Sequence, residues 1–192
     1  MFYLNERHRG KGAEWEVLYV ASVECVIVLG HIMYPKASGA VILLANGLSI
    51  NWLRYAGWLV TTPILIIHMR SIGGISKLDD TLIQMLIANQ VMIIFGITGA
   101  VGTGASRGVA FTVGCVAMLV LFFRAGEIYA KAFRTCPGSA RPWLIASLLN
   151  FFVPWSCFPI LWLYGPEAGG QLGKGESIIA HCICDLSAKI AW

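Results

Sequence analysis

A lysine and an aspartate lie one helical turn apart in the apolar stretch that closes the chain. Lys189 follows Asp185 by four residues, so a helix places both side chains on the same face. Lys189 also lies about 13 residues into this stretch, about 20 Å along a helix, which is too deep for easy snorkelling to a membrane surface. The two residues form either a structural ion pair or a Schiff-base site, in which the amine holds an aldehyde and Asp185 neutralises the resulting cation.

Few other charged side chains lie inside apolar stretches. Glu24 and Arg54 are well inside, and charges at membrane depth are costly and usually functional. Arg124 also lies inside, with Glu127 one turn further on, and we interpret these two as side chains that snorkel toward the cytoplasmic surface.

The composition indicates a membrane protein with a single domain, 1–192. Charged residues make up 12% of the 192 residues, about half the ~25% of soluble domains, and 57% are hydrophobic. The six cysteines include no Cys-x-x-Cys pair, and we expect neither a zinc site nor a disulfide framework. No basic stripe with interleaved aromatic residues suggests a nucleic-acid partner, and no catalytic constellation suggests an enzyme.

Six stretches are long and apolar enough to predict membrane helices, each of about 20 residues. They run approximately over 15–34, 52–69, 81–101, 108–133, 142–164 and 176–192. Between the first two, residues 40–52 are too few to span a membrane, and Asn46-Gly47 predicts a hairpin in an extramembrane loop. Eight Lys and Arg residues flank one side of these spans and three flank the other, so the positive-inside rule places the N-terminus in the cytoplasm.

Three motifs indicate a family. Residues 54–63 read Arg-Tyr-Ala-Gly-Trp-Leu-Val-Thr-Thr-Pro, residues 155–159 read Trp-Ser-Cys-Phe-Pro, and residues 185–189 read Asp-Leu-Ser-Ala-Lys. In this order and spacing they closely resemble the third, sixth and seventh helices of microbial rhodopsins. The resemblance implies a seven-helix membrane bundle, all α, of which this chain holds about six helices. It also implies all-trans retinal, bound covalently through Lys189.

Further segments resemble the channelrhodopsins within that family. Ala13-Glu-Trp-Glu16 with Glu24 is similar to their second helix, Pro63 to His68 to their third, Gly165-Pro-Glu167 to the end of their sixth, and Ile178 to His181 to their seventh. This resemblance covers essentially the whole chain. It implies that most of helix one and the end of helix seven are missing, and that such a fragment forms no stable pigment alone.

The resemblance assigns roles residue by residue. Trp58 and Trp155 would enclose the retinal polyene, with Phe158, Thr62 and Pro63 beside it. Arg54 would lie on the extracellular side of the Schiff base. Glu24 would face the permeation route, and a buried acid there is either simply neutral or a gate.

Departures from the family pattern bear on function. Gly57 stands where a counterion carboxylate is usual, so Asp185 is the one obvious counterion, and His68 stands where pumps carry a proton donor. With no acid from residue 52 to 70, outward proton pumping has no evident proton acceptor or donor. Thr62 and Asn89 replace a Cys/Asp pair that shapes gating in relatives.

The small number of acidic residues in the predicted pore region indicates which kind of ion permeates. Of the glutamate stripe on the second helix of cation-conducting relatives, Glu16 and Glu24 remain. This scarcity, together with Arg54 and Lys189 in the interior, favours anions. We therefore expect a light-gated passive channel in the plasma membrane, with chloride and the lipid bilayer as partners and homodimers allowed. Cation or proton conduction, and a sensory photoreceptor that signals through a partner, stay open as alternatives.

Overall fold

The computed structural model describes residues 15–33, 41–44, 47–72 and 79–190, with the side chains of residues 15–17, 31–33, 70–71 and 190 excepted. Six α-helices account for most of this part of the chain. They are α1 (Trp15–Met33), α2 (Trp52–Ile72), α3 (Asp80–Val101), α4 (Gly104–Thr135), α5 (Arg141–Tyr164) and α6 (Lys174–Ile190). A short 3-10 helix, Gly138–Ala140, leads into α5. All six predicted helices are therefore present within a few residues of their expected bounds.

The predicted hairpin between the first two helices is confirmed. Strands β1 (Ile42–Leu43) and β2 (Ser49–Ile50) pair antiparallel, with Ile42 opposite Ile50. Gly47 has a φ of 80°, which a residue without a Cβ adopts at little cost. Asn46, the other residue of the turn signal, lies outside the described residues.

Local sequence explains where the helices begin and end. Asp79 caps α3 by accepting a hydrogen bond from the backbone N–H of Leu82 at 2.8 Å. The glycine-rich turn after α3 takes only two residues, because Gly104 adopts a φ of 54° and begins α4 at once. Inside α5, Pro154 and Pro159 each lack an N–H, so each leaves one carbonyl of the preceding turn without its helical donor.

The helices pack in chain order around a closed ring. Each helix contacts the next one, and α1 also contacts α6, which brings the two ends of the described chain together. Within the described residues, three segments are long and apolar enough to cross a membrane: Asp80–Val101, Gly104–Thr135 and Gly138–Tyr164. A shorter apolar helical segment, Leu18–Gly30, belongs to α1. The other two helices, α2 and α6, carry most of the buried charged and polar residues, with Glu24 on α1 and Asn89 on α3 in addition.

Candidate functional site

The amine of Lys189 is buried between two carboxylates that come from different helices. Its Nζ lies 2.5 Å from Oε1 of Glu24 on α1 and 3.0 Å from Oδ1 of Asp185 on α6. Lys189 is 5% exposed. A charge so far from water needs such partners, because desolvation is offset only by opposite charge and hydrogen bonds. Asp185 was expected here from its spacing, but the contact with Glu24 was not.

A tryptophan from α2 fixes the orientation of Asp185. The indole Nε1 of Trp58 donates a hydrogen bond of 2.7 Å to the same Oδ1 that faces Lys189. The four-residue spacing of Asp185 and Lys189 places both on one face of α6, which α2 approaches from the side. The cation, its carboxylate and the ring of Trp58 therefore form one connected unit.

A large apolar cavity extends from Lys189 into the centre of the ring. Its free volume is about 80 Å³, and its lining is predominantly apolar, as in pockets for small organic ligands. Five helices, α2 to α6, line it. Its lining residues are Tyr55, Trp58, Thr62, Met92, Ile93, Gly96, Phe111, Gly114, Cys115, Met118, Trp155, Phe158, Pro159, Trp162, Asp185, Ala188 and Lys189.

The residues of this cavity fit a long, apolar aldehyde such as retinal. The amine lies at the cavity wall, where it can form the covalent bond, and Trp58, Trp155 and Phe158 supply flat apolar surfaces. The rings of Trp58 and Phe158 are 4.7 Å apart, centroid to centroid.

One residue expected beside the chromophore lies elsewhere. Pro63 does not line the apolar cavity, although Thr62, one position earlier, does. Consecutive residues on an α-helix point about 100° apart, and on α2 the cavity is lined by Tyr55, Trp58 and Thr62, which recur at intervals of three and four residues. Pro63 lies one position beyond this face of the helix.

The sequence interpretation missed the far end of the cavity. Trp162 stacks on Phe111, with ring centroids 4.9 Å apart, and its Nε1 donates to the carbonyl of Gly96 at 3.2 Å. A signal was available, because Trp155, Phe158 and Trp162 recur at intervals of three and four residues, the spacing of one helix face. Gly96 and Gly114 also line the cavity, and no spacing argument singles them out.

A second, polar cavity lies on the other side of Asp185, among α1, α2 and α6. Its free volume is about 20 Å³, room for about one water molecule. Its lining residues are Glu24, Ile27, Val28, Asn51, Arg54, Ile178, His181, Cys182, Asp185 and Leu186. Asp185 lines both cavities, so one side chain separates the apolar pocket from the polar one.

Arg54, expected near the chromophore amine, forms a buried ion pair with Glu167. Their side chains are 4% and 1% exposed, and Glu167 lies in the connection between α5 and α6. Glu167 is part of the Gly165-Pro-Glu167 resemblance, but its pairing with Arg54 was not anticipated. The pair holds α2 against the loop that closes this end of the ring.

The remaining predicted pore residues are dispersed. Asn89 is fully buried and its Nδ2 donates to Oγ1 of Thr62 at 2.8 Å, which links α3 to α2 outside the polar cavity. His68 is buried on α2 and lines neither described cavity. Glu16 falls on α1, but its side chain lies outside the described part of the structure. Among the predicted pore residues whose side chains the structure describes, Glu24 and Arg54 meet at the polar cavity.

His181 was quoted in the sequence resemblance without a role, and the structure places it in the polar cavity. Its Nδ1 lies 2.7 Å from the carbonyl oxygen of Ser177, which requires Nδ1 to carry the proton and leaves Nε2 as the acceptor in the neutral ring. Its ring stacks on Phe158 at 6.1 Å between centroids. His181 therefore touches an aromatic wall of the apolar cavity while lining the polar one.

The geometry agrees with similarities to known proteins. The family described as bacteriorhodopsin-like protein matches residues 1–192. The chain is 31% identical over 148 residues to archaerhodopsin-1 of Halorubrum ezzemoulense, which covers 76% of this chain and 55% of that protein. It is 28% identical over 152 residues to sensory rhodopsin-1 of Halobacterium salinarum, which covers 78% of this chain and 62% of that protein. The chain thus spans less than two thirds of the length of both relatives.

Among solved structures, the red light-activated channelrhodopsin Chrimson is similar over most of the chain. The two superpose with a TM-score of 0.83 at 28% sequence identity, covering 94% of this chain and 65% of Chrimson. The arrangement of six helices described above is therefore the arrangement of that protein's bundle over the same region.

Proposed function

Because this chain belongs to the bacteriorhodopsin-like family and has the microbial rhodopsin fold, we propose that it is a light-gated passive ion channel. Proteins of this family are integral membrane proteins that bind retinal covalently and work as photoreceptors, pumps or channels. Lys189 is the residue we assign to the covalent bond, with all-trans retinal in the apolar cavity.

One observation carries the channel proposal: Asp185 is a wall of both cavities. Bound retinal supplies absorption of visible light and a change of shape in the apolar cavity. Trp58 and Lys189 both contact Oδ1 of Asp185, so a displacement of either one moves the carboxylate. The polar cavity beside it, with its charged lining, is then altered through Asp185, the residue that it shares with the chromophore pocket.

The absence of acids on α2 supports passive conduction rather than proton pumping. An outward pump needs a proton acceptor and a donor along its route, and Gly57 and His68 stand at those positions. No Asp or Glu occurs from residue 52 to 70. A proton that leaves the site has no carboxylate on this helix to receive it.

We favour chloride as the permeating ion because the nearby carboxylates are already engaged. Glu24 and Asp185 both contact the Lys189 amine, and Glu167 is paired with Arg54. The cation that lines the polar cavity is the guanidinium of Arg54, and its partner Glu167 does not line that cavity. Selectivity in pores follows the charges and hydrogen-bond donors that line them.

Cation or proton conduction is the second candidate, and a specific observation favours it. Two acids, Glu24 and Asp185, line the polar cavity beside one cation, Arg54. If light separates Lys189 from these acids, the lining becomes negative. A third candidate, a sensory photoreceptor, has the similarity to sensory rhodopsin-1 in its favour.

Replacement of Lys189 tests the chromophore assignment. We expect the full-length protein, supplied with all-trans retinal, to show a visible absorption band, and Lys189→Ala to abolish it because no other amine lines the apolar cavity. Lys174→Ala is the matched control, since Lys174 is exposed at the start of α6 and should leave the band intact. A band that survives Lys189→Ala contradicts the assignment.

Replacement of external chloride tests the permeating ion. In voltage-clamped cells under light, a chloride-selective channel shifts its reversal potential by about 59 mV for each tenfold change in external chloride, the value for a monovalent ion. A reversal potential that follows sodium or pH instead establishes the cation candidate. An intact pigment with no photocurrent establishes the sensor.

A further inference from the structure

Ile27 on α1 occupies the space into which a side chain at position 57 on α2 would extend. A Cβ built on Gly57 would lie 2.1 Å from Cδ1 and 3.4 Å from Cγ1 of Ile27. Real Cβ atoms do not approach other atoms as closely as 2.1 Å, so the isoleucine rests directly on the backbone of Gly57. Ile27 is 9% exposed, which leaves its side chain little freedom.

This contact lies at the boundary of the polar cavity. Ile27 and Val28 are apolar members of its lining, and Ile27 follows Glu24 by three residues, which is one turn of α1. Gly57 follows Arg54 by three residues on α2 in the same way. The apolar contact is therefore next to the two charged residues that line this cavity from α1 and α2.

We propose that Ile27, seated on Gly57, is an apolar gate between α1 and α2 that keeps the polar cavity closed in the dark. This rests on the proposed channel function and adds to it a residue that controls opening. A hydrophobic constriction blocks ions because water leaves it, and a hydrated ion does not cross a dry segment. The missing side chain at position 57 is what allows the isoleucine to fit so closely.

The gate must open by separation of Ile27 from Gly57. Both α1 and α2 are linked to Asp185. On α1, Glu24 contacts Lys189, which in turn contacts Asp185. On α2, Trp58 donates a hydrogen bond to Asp185 directly. Trp58 is adjacent to Gly57 in the chain. A movement of Trp58 therefore displaces the backbone of Gly57, and the contact between Gly57 and Ile27 is lost. Ile27 is uncharged, so this opening does not depend on any change in its own charge.

Truncation of Ile27 tests the gate. We expect Ile27→Ala to increase the photocurrent per retinal-bearing protein by roughly twofold or more, or to add a current in the dark, because the constriction becomes wider and wetter. Leu53→Ala is the matched control. Leu53 makes a similar contact between the same two helices, with its Cδ2 3.0 Å from a Cβ built on Gly30, but it lines neither cavity. Equal currents in the two variants overturn the gate.

A second measurement, of pigment stability, does not depend on conduction. Gly57→Ala should lower the temperature at which the visible band bleaches, because the new methyl group collides with Ile27. The double variant Ile27→Ala with Gly57→Ala should recover most of that loss. The contact between Ile27 and Gly57 is refuted if Gly57→Ala has the same bleaching temperature as the unmodified protein. It is also refuted if the bleaching temperature of the double variant is no higher than that of Gly57→Ala.

The outcomes separate the gate from the channel itself. A robust photocurrent in the unmodified protein, with no difference between Ile27→Ala and Leu53→Ala, refutes the gate and leaves the channel in place. If the unmodified protein gives no photocurrent and the Ile27→Ala variant does, both the gate and the channel are supported, because the gate then stays closed in the unmodified protein under light. An intact pigment that is silent in every variant refutes both proposals.

Discussion

At the scale of single residues, the amine of Lys189 has two carboxylates within 3.0 Å, one from each of two helices. Asp185 is also held by Trp58, and Glu24, which is 7% exposed, also has a hydrogen bond with the side chain of Thr61. A buried cation with two acids retains a counter-charge when one acid is removed. Each acid can therefore move or change protonation while the other keeps the cation in place.

Neutralising these acids singly and together tests that redundancy. We expect Glu24→Gln and Asp185→Asn each to retain a visible band, because one carboxylate still faces the amine. The double variant should lose most of the band at neutral pH, because an unpaired buried cation releases its proton.

Absorption spectra of purified protein at matched concentration provide the measurement. The control is Glu127→Gln, since Glu127 is exposed and paired with Arg124 on α4, away from both cavities. A double variant with an undiminished band would mean that neither acid neutralises the chromophore.

The residues near Lys189 differ in how far the sequence could predict them. Asp185 lies four residues away on the same helix, so helical periodicity alone places the two side chains together. Glu24 lies 165 residues away, and its contact depends on α1 closing the ring against α6. No local pattern encodes that closure, and the same is true of Ile27 resting on Gly57.

At the scale of helices, α2 and α3 are joined by a buried hydrogen bond. Nδ2 of Asn89 donates to Oγ1 of Thr62 at 2.8 Å, and the Thr62 hydroxyl in turn donates to the carbonyl of Trp58 at 2.6 Å. The chain of bonds leads from the fully buried Asn89 to the residue that holds Asp185. It connects the packing of α3 to the candidate chromophore site.

Removal of the amide tests this connection. Asn89→Ala should destabilise the protein by about 1–2 kcal/mol, because a buried hydrogen bond is lost. Thermal bleaching of the visible band measures the effect. Gln90→Ala is the control on the same helix, since Gln90 is only half-buried and its bond to the carbonyl of Leu59 is longer, at 3.3 Å. Equal loss in both variants would argue against a special role for Asn89.

Helix positions could be predicted well, because long apolar stretches and turn residues determine them locally. The turn at Gly102 to Gly104 and the turn at Gly47 lie where the sequence predicts them. Each contains a glycine with positive φ, Gly104 in the first and Gly47 in the second. Helices α2 and α6 were harder to recognise by hydropathy, because their polar residues face one another inside the ring. Their apolar stretches still predicted both helices, and their motifs indicated the family.

At the scale of the whole molecule, one loop closes an end of the ring. The connection after α5 carries Glu167, which pairs with Arg54 on α2, and the adjacent Ala168 accepts a hydrogen bond from Arg107 on α4 at 3.3 Å. Arg107 also donates to the carbonyl of Gly102 at 3.0 Å. The loop therefore contacts α2 and α4 directly, and through Arg107 it is linked to the turn after α3.

Separation of the Arg54–Glu167 pair tests how much this closure stabilises the fold. Glu167→Gln should cost roughly 3–5 kcal/mol, because it leaves the guanidinium buried without a counter-charge. The double variant Arg54→Gln with Glu167→Gln should lose less than the sum of the two single variants, since no charge is then orphaned. Bleaching temperature in detergent checks both, and strict additivity would contradict the coupling.

The oxygen Oδ1 of Asp185 accepts from Trp58 and faces Lys189, while its residue also lines the polar cavity. In the proposed channel, this oxygen would contribute to the electric field at retinal, which sets the colour of the pigment, and would also border the ion route. We expect a substitution of Asp185 that changes the wavelength to change the current as well. A spectral variant with an unchanged current should instead be sought at the opposite end of the apolar pocket, near Trp162.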